Sequence, residues 1–243
     1  MVCFTDTYVW YLFPVGANRL YGYEPMTNQS FVSDELSPGT QVAIKGNTHS
    51  IYIPRRNGII LGEFAKACLE SACSSFSISF LVYISGSVAV DEKVYVLNSS
   101  DPGPYHLQFI VSRGAGNARL EGQAFVVGGG SRKLLQRKME FPATDSWVHV
   151  AIVYSMNDSL VLYMNGVKVG SSDAIIPTDW PSDNSSVEVS LGSKENLRDI
   201  FVSYLQIIKG ALTTAEVAQL EQESREQGKA RSAVNSHNLY HHD

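Results

Sequence analysis

The chain has 243 residues, 44% of them hydrophobic and 18% charged, with a formal net charge of −5. That composition supports a folded core, and the length suits one large all-β domain or two small domains. It offers no clustered basic face for nucleic acid, and no stretch approaches the roughly 18 apolar residues of a spanning helix, so no membrane insertion is expected of this segment.

The opening MVCFTDTYVWYLFPVG is aromatic and apolar, but it carries Asp6, lacks a basic start and is broken by Pro14. No clear signal peptide is present. Either an export signal lies upstream in a longer chain or the protein is not exported. Residues 17–40 are rich in Gly, Pro, Asn and Ser, and Ile51–Ile53 reads as a strand ending at Pro54. Residues 1–49 are expected to supply the first strands of the fold that residues 50–227 complete.

From Phe76 onward, alternation with a period of two dominates. Phe76, Ile78, Phe80, Val82 and Ile84 share one face, with Ser77 and Ser79 on the other. Lys93–Leu97 is a short strand. Tyr105–Val111 points Tyr105, Leu107, Phe109 and Val111 inward, with His106 and Gln108 outward. Arg119–Val127 sets Leu120, Ala124 and Val126 against Arg119, Glu121 and Gln123, and a Gly128-Gly129-Gly130-Ser131 turn leads into Lys133–Glu140. The cluster from Arg132 to Lys138 is interleaved with leucines and reads as the solvated face of that strand.

Residues 147–166, WVHVAIVYSMNDSLVLYMNG, read as two alternating strands around an Asn-Asp turn, closed by Asn165-Gly166. Asn-Gly between alternating hydrophobics is a strong hairpin signal. Val167–Gly170, Val187–Leu191 (Glu188 and Ser190 outward) and Phe201–Ile208 complete the strands. Thr213 and Glu216 are spaced as a capping box for one short C-terminal helix with Val217 and Leu220 on its apolar edge. Residues 228–243, including His237, His241 and His242, read as a flexible tail. Regular strands separated by Gly, Pro, Asn and Ser clusters indicate an all-β, two-sheet antiparallel jelly-roll sandwich.

Trp147-x-His149-Val150-Ala151-x-x-Tyr154, Leu162-Tyr163-x-Asn165-Gly166, Leu191-Gly192, Phe201-x-x-Tyr204-Leu205 and Ala211-Leu212-Thr213-x-x-Glu216 follow one another in order. This pattern resembles the laminin G-like or concanavalin A-like sandwich domains, and among them the pentraxin-related, lectin-type branch, over roughly residues 50–225. Cys68 and Cys73 before Phe76-Ser-Ile-Ser-Phe80 are similar to the family's opening. Ser203 and Gln206 stand where the family has glycine and an acidic residue. The resemblance implies a non-catalytic extracellular recognition or adhesion module that binds a glycan or an extracellular protein through rim loops. The alternatives are a structural spacer in a larger extracellular or receptor protein and, third, a glycoside-active sandwich enzyme.

The chemistry-bearing residues are sparse. A glycosidase needs two carboxylates flanking the scissile bond, and no strand carries such a pair. No Gly-x-Ser-x-Gly elbow occurs, and His149 lies within a strand as a packed histidine. Calcium requires several converging oxygens. Asp101, Asp158 and Asp199 are the best-placed loop carboxylates, and each also fits ordinary turn chemistry. Stacking on a sugar would use Trp180 or Tyr105. Cys68 and Cys73 suit a short bridge in an oxidising compartment, or two small buried hydrophobes in a reduced one, and Cys3 is left over. Four sequons, at Asn28, Asn98, Asn157 and Asn184, fit a secreted glycoprotein.

Overall fold

The alternating pattern becomes sixteen strands in the computed structural model, which describes residues 9–15, 19–24, 29–32, 41–60, 75–99, 106–114, 119–128, 133–155, 159–171 and 189–238. In chain order these are β1 (Val9–Val15), β2 (Arg19–Glu24), β3 (Gln29–Val32), β4 (Gln41–Lys45), β5 (Thr48–Ile53), β6 (Asn57–Ile60), β7 (Ser75–Ile84) and β8 (Lys93–Ser99). They continue with β9 (His106–Ser112), β10 (Leu120–Gly128), β11 (Lys133–Phe141), β12 (Val148–Ser155), β13 (Ser159–Met164), β14 (Val167–Ser171), β15 (Val189–Ser193) and β16 (Ile200–Lys209). Among the described residues one helix, α1 (Thr214–Asn238), follows.

The strands form two antiparallel sheets. The larger has ten strands and runs β14-β13-β12-β7-β16-β1-β2-β3, with β5 also on β16 and β4 on β5. The smaller runs β11-β10-β9-β8-β15-β6. The inward phase read from the sequence is the phase observed: Phe76, Phe80, Val82, Leu107, Phe109, Val111, Val150 and Ile152 are all fully buried between the sheets. Phe80 meets Phe109 across the sandwich at 5.8 Å, edge to face, an arrangement that aromatic quadrupoles favour. The jelly-roll sandwich class expected from the strand pattern is the class observed.

The Asn165-Gly166 turn joins β13 to β14, and both residues have positive φ (49° and 76°). That is the type I′ geometry whose twist matches a hairpin. The turn also abuts the helix: a Cβ on Gly166 would stand 3.3 Å from the Ala218 Cα. The Asn165 side chain accepts hydrogen bonds from the His149 backbone N–H and from Arg225 Nη2.

The outer face of the large sheet differs from the sequence reading. Ser77 and Ser79 occupy the phase expected to face solvent, yet both are buried. The C-terminal segment explains this: Leu212, just before α1, and Val217 and Leu220 of α1 pack onto Ala151, Val153, Tyr163 and Ile208 as a second core. Ser77 Oγ is satisfied by donating to the Gly210 carbonyl and accepting from Leu212 N–H. The capping box is present, with Thr213 N–H donating to Glu216 Oε2 at 2.7 Å and Glu216 N–H to Thr213 Oγ1 at 3.3 Å.

The helix is not short. Its backbone runs 25 residues, through Gly228 to Asn238, where the sequence reading had placed the start of a tail. A single glycine costs a helix about 1 kcal/mol, too little to end one flanked by Arg225, Glu226, Gln227, Lys229, Ala230 and Arg231. Ser190, expected outward, is also buried, its hydroxyl donating to the Asn98 carbonyl.

Candidate functional site

Three aliphatic-aromatic-aliphatic triplets, Ile51-Tyr52-Ile53, Val82-Tyr83-Ile84 and Ile200-Phe201-Val202, lie side by side on adjacent strands. Phe201 pairs with Tyr52 of β5 and with Tyr83 of β7. In each triplet the aliphatic residues are buried between the sheets and the ring points to the outer face, where it is half-buried. Trp147, just before β12, extends the row. Ring centroids are 5.1 Å apart for Tyr52–Phe201, 5.8 Å for Tyr83–Phe201 and 5.7 Å for Tyr83–Trp147. The Lys45 ammonium sits 4.6 Å from the Tyr83 ring centre and 5.0 Å from that of Phe201, within cation–π range. Trp147 Nε1–H donates to the Lys45 carbonyl and ties that hairpin down.

The row runs into a rim built from the β5–β6, β7–β8, β11–β12 and β15–β16 connections. Backbone groups lock these loops together. Arg55 N–H donates to Asp199 Oδ1 at 2.8 Å, and Ser85 N–H donates to the Asp199 carbonyl at 3.0 Å. Asp145 Oδ1 accepts from Gly86 N–H at 3.0 Å and from the Tyr83 hydroxyl at 3.2 Å. Asn196 is buried and acts as a staple: its amide accepts from Tyr95 N–H and donates to the Tyr95 carbonyl, while its own carbonyl accepts from Arg56 N–H. Such a rim is preformed, which spares a ligand the entropy of ordering it.

One ion pair anchors the centre of the rim. Arg198 Nε and Nη2 donate to Glu92 Oε1 and Oε2 at 2.8 and 3.0 Å, and Glu92 Oε2 also accepts from Ala89 N–H at 2.6 Å. Burial by itself would raise the Glu92 pKa, but these hydrogen bonds outweigh it and hold the carboxyl below its ordinary value. Burial together with the neighbouring Asp199 carboxylate pushes the Tyr52 phenol up, and Arg55 opposes them.

Between these loops lies an open pocket of about 500 Å³ lined by Tyr52, Pro54, Arg55, Ser85, Leu197, Arg198 and Asp199. Its size falls in the range of small-ligand sites. Leu197 is 54% exposed, an apolar side chain held out on a polar rim.

Of the residues expected to form a site, Asp199 is at this pocket. Its carboxylate accepts from Arg55 N–H, and it is the charge that helps push the Tyr52 phenol up. Among the described residues no group of three or more His, Cys, Asp or Glu side chains could hold a metal ion. Asp101, Asp158, Trp180, Tyr105, Cys3, Cys68, Cys73, Asn28, Asn157 and Asn184 lie outside the described residues. Asn98 belongs to β8, which β9 and β15 flank, and its Oδ1 accepts from Gln108 Nε2. His149 is the packed histidine expected, fully buried with Nε2 bonded to Ser79 Oγ at 2.9 Å.

A laminin G-type model of the concanavalin A-like lectin/glucanases superfamily matches residues 39–218. The chain belongs to this family. The superfamily match covers strands β4 to β16 in full, together with the aromatic row and the pocket. No protein with a curated description matches the sequence. Solved structures similar to this superfamily member include three toxin domains. The botulinum neurotoxin serotype D binding domain has a TM-score of 0.62 at 15% identity, covering 77% of this chain and 45% of that one. The botulinum neurotoxin serotype G binding domain has a TM-score of 0.64 at 13% identity, covering 88% and 50%. The binding domain of Paraclostridial Mosquitocidal Protein 1 has a TM-score of 0.66 at 16% identity, covering 90% and 52%. At such identities the likeness is one of fold. The chain spans about half the length of these structures.

Proposed function

We propose that this chain is a non-catalytic recognition module that binds a glycan or an extracellular protein at the rim around Tyr52, Arg55, Leu197 and Arg198. The observation that carries the reading is the preformed pocket, hydrogen-bonded across separate loops and continuous with the outward aromatic row. A polar pocket beside exposed ring surface is the usual geometry of saccharide recognition, in which rings stack on sugar faces and polar groups fix the hydroxyls. The superfamily, which includes lectins, and the solved structures named as binding domains support the same reading. The module works outside the cell, as one part of a larger chain.

Catalysis is disfavoured by how the rim carboxylates are used. Asp145 and Asp199 each accept from backbone N–H groups, and Glu92 is paired to Arg198. None is left poised as a general acid opposite a second free carboxylate.

The test is a glycan array and an extracellular-protein panel probed with the purified chain, with and without EDTA. Specific retention that Leu197→Ala and Arg55→Ala both weaken supports the rim. Retention unaffected by both variants refutes it, and hydrolysis of any retained polysaccharide refutes the non-catalytic reading.

A further inference from the structure

Helix α1 covers the outer face of the large sheet by a narrow hold. Across residues 214–226 its buried side chains are Val217, Leu220 and Ser224, and none of them belongs to the core between the sheets. Two polar clips add to the hold: the Tyr163 hydroxyl meets Thr214 Oγ1 at 3.1 Å, and Arg225 Nη2 donates to Asn165 Oδ1 at 3.0 Å. A helix attached in this way leaves at lower cost than the sandwich unfolds, since the main core keeps all its members when it goes.

Beneath the helix lies a titratable group that the packing serves in one protonation state only. His149 is fully buried, with Nε2 bonded to Ser79 Oγ and Nδ1 without a hydrogen-bond partner among the described residues. Strands β7, β12 and β13 carry no other charged side chain. From α1 the Glu221 carboxylate and the Arg225 guanidinium act on the ring, and these two are paired with each other. An imidazolium donates at both nitrogens, so the protonated ring would bury a charge together with an Nδ1–H that has no acceptor.

We propose that α1 is an acid-released cover: proton uptake at His149 lifts the helix from the outer face and bares the apolar strip of Ala151, Val153, Tyr163 and Ile208 while the sandwich stays folded. The covered ring takes a proton only near pH 4, because burial opposes the charge, whereas the uncovered ring takes it at its ordinary 6.5. The closed state therefore keeps its full advantage above 6.5 and loses it as the pH falls toward 4. Over the interval from pH 7 to pH 4 the ratio of open to closed helix rises about a hundredfold. This device is separate from the rim, and it makes a second, apolar surface conditional on acid.

Amide hydrogen exchange of the full chain in low urea, at pH 7 and pH 4, tests it, with each rate taken relative to the same residue in an unfolded peptide. The amides of residues 218–225 should be less protected than those of β7 and less sensitive to urea, as a step smaller than global unfolding requires. Their protection should fall about a hundredfold between the two pH values, and His149→Gln should remove most of that fall. Arg225→Gln, made at a partly exposed side chain, frees Glu221 to hold the imidazolium in place and should shrink the fall as well. Protection and urea sensitivity equal to those of β7 would overturn the release of α1 as a step of its own. A fall that both variants leave intact would overturn the assignment to His149.

Discussion

His149 gives this fold a measurable dependence on acid. The side chain is fully buried beneath α1, with Nε2 bonded to Ser79 Oγ and Nδ1 without a hydrogen-bond partner among the described residues. Glu221 and Arg225 face it from the helix as an ion pair. Burial lowers its pKa from 6.5 to about 4, with Glu221 opposing the shift and Arg225 adding to it. Between those two values the unfolded chain binds the proton and the folded chain does not, so stability rises with pH through that window. The contribution is complete above 6.5 and is lost as the pH falls toward 4. Integrating the two titrations between pH 7 and pH 5 gives a loss of about 2 kcal/mol. Urea unfolding followed by tryptophan fluorescence should show it as a midpoint lower by about 1 M. Other groups titrate in the same range, so the comparison is with His149→Gln, which can still bond Ser79 but carries no titratable ring. That variant should lose about 2 kcal/mol less over the same interval. Equal losses in the two proteins would refute the assignment of the acid sensitivity to His149.

Three further substitutions test the framework. Gly166→Ala places a Cβ at positive φ and 3.3 Å from the Ala218 Cα, and should cost about 1–2 kcal/mol in urea unfolding. Asn196→Ala strips both hydrogen bonds from the Tyr95 backbone. It should cost about 2 kcal/mol and speed hydrogen exchange at Arg56 and Tyr95. Glu92→Ala leaves Arg198 without its partner. Because that arginine is 31% exposed, the loss should be about 2 kcal/mol, below the 3–5 of a fully buried pair, read as a lower melting temperature.

The sandwich was legible because its inward phase is written in aliphatic and aromatic residues at strict intervals of two, as in Phe76 to Ile84. The type I′ turn was legible because Asn-Gly is matched to it. The outer face was not, since Ser77 and Ser79 look solvent-facing until a helix far along the chain is laid over them. The same limit hid the helix length: local rules flag Gly228 as a stop but carry no sum over its helix-forming neighbours. Trp180 and Tyr105 drew attention as loop aromatics, whereas the aromatic row is made of strand residues. Its signal was present in three places, a ring flanked by aliphatics on the outward phase. Recognising it required knowing that β5, β16 and β7 are neighbours, and this is set by pairings that one sequence does not display. Asp199 was found for its carboxylate, while its role is to brace Arg55 and Ser85 through its side chain and carbonyl.

Strand β7 sits between β12 and β16, so its partners come from residues 148–155 and 200–209. A ribosome releasing this chain would deliver β7 long before either partner, and β16 roughly 120 residues after it. Strands β1 and β5 wait on the same late strand, since β16 pairs with both. Folding is therefore controlled by contacts distant in sequence, a topology associated with slow folding. Until residue 209 is available, the Phe76–Ile84 strand has an unpaired apolar edge of the kind that recruits other chains. Truncation before β16 should therefore leave a chain that aggregates.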